Sequence, residues 1–245
     1  FEQPYYINDF SDGLSIRYED DGSACYLDKK GNVALKVPYR ALWNFVDGVA
    51  MAGTEYGGPY VLIDKQGNEL TDKLSSGLRM IKMDKHLGFA DMEGNIVIRP
   101  VFDYAEPFRD GLAIVAFQGE RSGYGIIDTR GNFVLEPEYC IIQRARNGSF
   151  IVGERQDGNG PLPPAYVDYC LKALFSKDLK NHTDWVFQDV ESFDGKYTCV
   201  TDGNSIYYLD AYLNEAEDLP RFSGRGIMLS DGALLRGTIN GCTRW

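Results

Sequence analysis

Histidine is nearly missing: His86 and His182 are the only two in 245 residues. No His-x-His or His-Glu-x-x-His spacing occurs, so the sequence offers no metal-ligand set. Cysteine is sparse as well. Cys25, Cys140, Cys170, Cys199 and Cys242 form no Cys-x-x-Cys pair, which excludes zinc-ribbon and thioredoxin-like sites. Their scatter is not that of a disulfide scaffold; buried thiols and incidental bridges both stay open. Glycine-rich phosphate loops and the Gly-x-Ser-x-Gly elbow are absent, which removes the usual nucleotide and serine-hydrolase signatures. No apolar run approaches the ~20 residues of a membrane-spanning helix. Positive charge is scarce, with 25 Lys+Arg against 36 Asp+Glu and a net charge of −11. No third of the chain is basic. Displacing counterions from phosphates needs clustered cations, so nucleic acid and anionic lipid are poor partners.

What is present is ordinary globular material, 44% apolar and 25% charged. That mix can bury a sizeable core. The chain opens on Phe1, and residues ahead of it, a cleaved leader among them, are an expectation.

The sequence repeats itself. Asp-x-x-Gly-Asn occurs at 28–32, 64–68, 91–95 and 128–132. A second phrase precedes each copy: FSDGLSI (10–16), FVDGVAM (45–51), SSGLRMI (75–81) and FRDGLAI (108–114). Weaker starts follow at NGSFIV (147–152), FDGKYTCV (193–200) and FSGRGIML (222–229). DAYLN (210–214) keeps Asp and Asn but puts Leu213 in the glycine position. Seven units result, clear over 10–146 and degenerate over 147–245 of one repeat-array domain spanning 1–245.

The phrase has a physical reading. The Asp carboxylate accepts a backbone N–H two residues on, and Gly supplies the left-handed residue of a three-residue hairpin loop. Strand-like runs flank each turn, as in YGIID (124–128) and NFVLEP (132–137). Pro38, Pro100 and Pro137 are expected to end the outgoing strands. GLAIVAF (111–117) reads as a strand apolar on both faces. Asp-Gly at 21–22, 202–203 and 231–232 predicts further two-residue turns. Leu171, Leu174, Phe175 and Leu179 fall at helical spacing and predict a helix over 168–182. The Gly/Pro-rich loop 157–165 precedes it, and such an insertion is either a binding element or an edge cover.

GYGIIDTRGNFVLEPEY (123–139), with its Phe-x-Asp-Gly-Leu-Ala phrase, resembles the bacterial WG-repeat (KWG-repeat) proteins. That phrase runs Trp-Gly, a short strand, Asp-x-x-Gly, an apolar strand, Pro and an aromatic. The likeness is good over 86–139, fair over 10–68 and poor after about 150. The Trp is absent throughout: Tyr124-Gly125 and Leu87-Gly88 stand in for Trp-Gly, while Cys25-Tyr26 and Val61-Leu62 are read as lacking both residues. The resemblance implies an all-β bacterial repeat array, often on envelope or exported proteins, without an established enzyme activity.

Carboxylates offer other readings. Asp20-Asp21, Glu136-Glu138 and Glu215-Glu217-Asp218 could be cast as a glycosidase pair, and DGNG (157–160) as a calcium loop. The repeat assigns Asp28, Asp64, Asp91 and Asp128 to turns instead, and the calcium spacing is missing. Trp43, Trp185 and Tyr104 fall near unit junctions and are expected to pack there, although aromatics also build binding faces.

The expected fold is all-β, with tandem repeats of about three antiparallel strands in a curved or ring-like (propeller-like) array; an open superhelical stack is the alternative. The expected function is a non-catalytic binding or scaffold module of an exported or envelope protein, recognising a peptide, protein or glycan. A carbohydrate-active hydrolase and a ligand-free spacer are the rivals. No catalytic, cofactor-binding or metal residue is assigned, no cofactor is called, and neither nucleic-acid binding nor membrane insertion is expected.

Overall fold

A computed structural model describes residues 10–119, 123–154, 171–187, 189–192, 196–223, 227–228, 234–238 and 241–244. Seven antiparallel sheets follow one another along these residues, one for each repeat start in the sequence. Sheet one is β1 (Ser15–Tyr18), β2 (Ala24–Leu27) and β3 (Val33–Lys36). Sheet two is β4 (Ala41–Leu42), β5 (Val49–Gly53) and β6 (Tyr60–Asp64). A single helical turn, α1 (Thr71–Leu74), leads into sheet three: β7 (Arg79–Met83), β8 (His86–Ala90) and β9 (Ile96–Phe102). Sheet four has β10 (Tyr104–Ala105), β11 (Leu112–Phe117), β12 (Gly123–Asp128) and β13 (Phe133–Tyr139). Sheet five is β14 (Ile141–Arg144), β15 (Phe150–Glu154) and β16 (Leu171–Phe175). Sheet six is β17 (Asp189–Ser192), β18 (Thr198–Thr201), β19 (Ser205–Leu209) and β20 (Phe222–Ser223). Sheet seven is β21 (Ile227–Met228), β22 (Leu234–Thr238) and β23 (Gly241–Arg244). Two compact units divide the chain at Pro137/Glu138, within β13.

Both repeat phrases have a structural job. In Asp-Gly of the upstream phrase both residues take positive φ, as at Asp47 (54°) and Gly48 (74°). That is the type I′ hairpin turn, whose twist matches the strands it joins. Val46 and Val49 close it with reciprocal backbone hydrogen bonds of 2.8 and 3.2 Å. The phrase's Phe is the plug between sheets. Phe45 is fully buried and packs 4.8 Å from Tyr26 on β2, and Phe108 lies 4.6 Å from Phe89 on β8. Burying each such ring contributes about 1.5–3 kcal/mol.

In Asp-x-x-Gly-Asn one carboxylate oxygen of Asp128 accepts the N–H groups of Arg130 and Asn132, both at 2.9 Å. The other accepts the Asn132 side-chain amide at 3.0 Å. The turn repeats at Asp28, Asp64 and Asp91. It survives at Asp210, where Leu213 adopts the glycine conformation at φ 71°.

Several local expectations are corrected. Residues 171–175 form a strand rather than part of a helix, and 168–170 lie outside the described residues. Leu171–Phe175 pairs along the whole of β15, and Leu179 at φ 57° stops any helix. Sheet pairing outweighs the helical spacing of four apolar residues. Pro100 and Pro137 lie inside β9 and β13 rather than at their ends. Pro100 sits where the β8–β9 register shifts, a bulge that needs no ladder donor. Asp21-Gly22 belongs to a three-residue loop closed by Glu19 and Ser23, and at 202–205 the two-residue loop is Gly203-Asn204. Asp231-Gly232 and 157–165 lie outside the described residues. Pairing also shifts the Trp-Gly frame by one residue in two units. Cys25 and Val61, three residues before Asp28 and Asp64, match Gly88 and Gly125, so Ala24 and Tyr60 hold the Trp position.

Candidate functional site

In the first unit, Phe1–Pro137, the two ends of each sheet differ in kind. Leu112 pairs with Asp128 at one end of the β11–β12 hairpin, and Phe117 with Gly123 at the other. The first end therefore holds both repeated turns. The same holds for Val49↔Asp64 against Gly53↔Tyr60, and for Arg79↔Ala90 against Met83↔His86. The repeat-turn end is tied together. Asp12 accepts the Gly48 N–H at 2.7 Å, Ser11 Oγ donates to the Phe45 carbonyl at 2.7 Å, and Lys65 Nζ donates to the Asp12 carbonyl at 2.7 Å. Arg109 reaches the Val46 carbonyl and Asp47 at 3.4 Å each.

The opposite end carries connections that do not repeat: Glu19–Ser23, Thr54–Pro59 and Asp84–Lys85 differ in length and sequence. Loops that vary on a fixed scaffold are where recognition residues gather. Aromatic side chains collect here. Tyr56 is 63% exposed, yet its hydroxyl donates to Tyr18 Oη at 2.8 Å. Tyr18 in turn donates to the Leu42 carbonyl at 3.1 Å, and Tyr26 donates to the Trp43 carbonyl at 2.8 Å. Trp43 lies between Tyr56, 5.7 Å away at 59°, and Tyr60, 4.7 Å away at 65°. The Gly57 N–H donates to Tyr60 Oη at 2.7 Å, which fixes the loop bearing Tyr56. Sheet four repeats the pairing: Tyr104 meets Tyr124 at 5.8 Å and 68°. Tyr60 and Tyr124 both hold the Trp position of the repeat, and each meets an aromatic at the first strand of its own sheet, Trp43 just after β4 and Tyr104 on β10. Pairing register, not composition, makes this visible.

Trp43 and Tyr104 pack, half-buried, against the Phe89–Phe108 core, as expected of junction residues. Tyr56 extends the set into solvent. Burial raises the pKa of Tyr18 and Tyr60, so both stay protonated donors. Tyr104 is raised well above the ordinary value by burial first, then by Glu106, which accepts its hydroxyl at 3.0 Å. Charged groups rim the ledge: Lys82 pairs with exposed Glu55 at 3.1 Å, and His86 Nδ1 lies 3.5 Å from Asp103.

The other candidates are dispersed. Asp20 and Asp21 sit on an exposed loop, where Asp21 accepts the Ser23 N–H. Glu136 and Glu138 are exposed on β13. Glu215 pairs with Arg221 at 2.7 Å, and Asp218 accepts the Tyr197 hydroxyl at 2.6 Å. In the second unit Trp185 stacks on Tyr139 (5.8 Å, 16°), and exposed His182 stacks on Phe175 at 4.9 Å. Cys25, Cys140 and Cys199 are buried thiols outside any disulfide; Cys170 lies outside the described residues. Among the described residues no group of three His, Cys, Asp or Glu side chains could hold a metal ion. Asp157–Gly160 lies outside them.

No curated protein matches the chain. Several solved structures align at low identity. The computationally designed Ika8 protein does so at 12% identity over 98% of this chain and 95% of its own, with a TM-score of 0.38. The Neurospora crassa Pan2 WD40 domain aligns at 12% identity over 94% and 85%, with a TM-score of 0.42. KlHsv2 with its loop 6CD replaced by a Gly-Ser linker aligns at 10% identity over 95% and 89%, with a TM-score of 0.44. The family model described as "WG containing repeat" matches residues 88–119 and 124–151. The match covers two adjacent repeats, the first beginning at Gly88 and the second at Tyr124, whose neighbour Gly125 likewise keeps the glycine of the motif.

Proposed function

We propose that this protein is a non-catalytic binding module of an extracytoplasmic bacterial protein, and that the variable-loop end of its first unit faces the ligand, a peptide, protein or glycan. One observation carries the reading. Tyr18, Trp43 and Tyr56, none of them part of either repeat phrase, come together at the end whose loops do not repeat, and Tyr104 meets Tyr124 at the same end of sheet four. Tyrosine and tryptophan held in place offer contact area at low entropic cost. The extracytoplasmic setting is what kinship with exported WG-repeat proteins implies. Among the described residues no helix is long and apolar enough to cross a membrane.

Of the carboxylates that could be cast as a glycosidase pair, Asp21 is shifted downward by its hydrogen bonds from Ser23 and Asp218 by that from Tyr197. A glycosidase acid needs the opposite shift. The test is a glycan and peptide array probed with the wild type and Tyr56→Ala. Ligands retained by the wild type and lost by the variant are expected. Equal retention by both, or turnover of any arrayed compound, would overturn the proposal.

A further inference from the structure

We infer that sheet two takes an outer strand from a partner: an extended peptide segment, with apolar side chains two residues apart, adds along β6 in place of α1. Topology is the first argument. In sheets one, three and four the Asp-x-x-Gly-Asn turn leads into an outer edge strand, β3, β9 or β13, of four to seven residues. Sheet two has the same turn at 64–68 but ends at β6. Past the turn the chain makes one bridge, Ile63 to Glu69, and leaves the sheet for α1. Outer strands also rest on the turn of the next sheet. A Cβ on Gly67 would meet Leu35 and Val37 at 3.3 Å each, and one on Gly131 would meet Ile98 at 3.3 Å. Gly94 is the equivalent residue of sheet three, on which an outer strand of sheet two would rest, and it has nothing within 4 Å. Met92 and Ile96, on either side of it, are 44% and 51% exposed.

Hydrogen bonding is the second argument. The outward N–H groups of β6 have substitute partners. Leu62 N–H donates to Thr71 Oγ1 at 3.3 Å, and Tyr60 N–H to Met80 Sδ at 3.3 Å. The first is long for such a bond, and a thioether is a weak acceptor. Both residues are buried, so water does not make up the difference. A strand antiparallel to β6 would bring backbone carbonyls to both N–H groups, and an N–H to the Leu62 carbonyl in place of that of Leu70. The present cover is weakly held. α1 is one turn of four residues, and Leu70 at its N-cap gives no side-chain bond. The hydroxyl of Ser75, at its C-cap, is buried without a hydrogen-bond partner. A single uncapped turn has little stability of its own.

The occupant follows from the strands that fill this place in the neighbouring sheets. The third residue after the turn asparagine is Leu35, Ile98 or Leu135, and the fifth is Val37, Pro100 or Pro137; all are buried or half-buried. The residue between them, Lys36, Arg99 or Glu136, is exposed and takes either sign of charge. Recognition therefore asks for Leu or Ile, any polar residue, then Val or Pro, on an extended backbone. The surface is a sheet edge, distinct from the loops that carry Tyr56.

The experiment titrates the whole chain into a fluorescently labelled peptide of residues 32–39, Asn-Val-Ala-Leu-Lys-Val-Pro-Tyr, and reads anisotropy. The same peptide carrying Leu35→Ser and Val37→Ser is the control. Saturable binding of the first and none of the second is expected. Hydrogen exchange on the wild-type complex should show the Tyr60 and Leu62 amides protected and those of 69–75 exchanging faster. Thr71→Val removes the substitute acceptor and keeps the side-chain shape, so it should bind the peptide about three- to tenfold tighter, with an unchanged circular dichroism spectrum. Protection at a different sheet edge, equal binding of the serine peptide, or no saturable binding by either protein overturns the inference. So does a folded Thr71→Val that binds no tighter than the wild type.

Discussion

Gly88→Ala removes the room in which two backbones cross. Gly88 is not at positive φ, so alanine meets no conformational penalty there. The obstacle is steric. A Cβ at this position would stand 2.6 Å from the Ile98 carbonyl oxygen and the Pro100 nitrogen, and 2.8 Å from the Arg99 carbonyl carbon. All three belong to β9, so no rotamer change clears them. Ordinary carbon contacts begin near 3.5 Å, so the strand must retreat by about 0.8 Å or more. That retreat strains the bulge between Leu87↔Phe102 and Phe89↔Ile98, and it lifts Ile98 from Gly131 of the next turn. Overpacking of this kind costs about 1–3 kcal/mol. At about 2–4 °C per kcal/mol for a chain of this size, melting should fall by about 2–12 °C. Gly13→Ala is the comparison: φ is +83° with nothing within 4 Å, so only backbone strain of about 1 kcal/mol applies. Differential scanning calorimetry of both variants reads the difference. Gly88→Ala melting within about 1 °C of the wild type would show that strand crossing is not what requires this glycine.

Leu179 has no glycine freedom at φ 57°, so Leu179→Gly should stabilise by about 0.5–1 kcal/mol after the added chain entropy, read as a rise of about 1–4 °C in melting temperature. Acid should unfold the array early. Asn32, Asn68, Asn95 and Asn132 hydrogen bonds lower the pKa of Asp28, Asp64, Asp91 and Asp128 below 3.8. Their contribution is complete above the unfolded carboxylate value and is lost as pH falls through the lower folded values. Melting temperature should therefore drop steeply below about pH 4, and less steeply in Asp64→Asn. A variant that tracks the wild type across that window would remove this explanation. Native-state alkylation followed by mass mapping should leave buried Cys25, Cys140 and Cys199 unmodified until denaturant is added; rapid labelling of Cys199 without denaturant would contradict its burial.

The repeat phrases were readable because each meets a local demand. Asp28 and Gly31 build a turn from residues within five positions, and Phe45 plugs a sheet boundary whichever partner lies opposite. Seven sheets follow from that reading. What escaped it depended on pairing across the sheet. Leu171–Phe175 carries apolar residues at helical spacing, and only the presence of β15 along its whole length makes it a strand. Pro100 signals a strand end unless a bulge opposite Gly88 makes its missing donor harmless. The Trp-Gly frame slipped by one residue in two units because Cys25 and Val61 give no glycine to mark it.

The binding surface shows the same limit from the other side. Tyr56 and Trp43 lie outside every repeated phrase, and in the sequence they are two of 32 aromatic residues. Their meaning comes from sheet polarity. Once Leu112↔Asp128 and Val49↔Asp64 put both repeated turns at one end, every connection free to vary must lie at the other. The repeat-turn end spends its carboxylates and donors on itself: Asp12 on Gly48, Asp28 on Asn32, Arg109 on Val46. A mutation there disturbs a turn used throughout the array, whereas a change in Thr54–Pro59 disturbs one loop. Sequence change can therefore accumulate at the variable-loop end without loss of fold, and that is the end where Tyr56, fixed at its hydroxyl and set against Trp43, stays largely exposed.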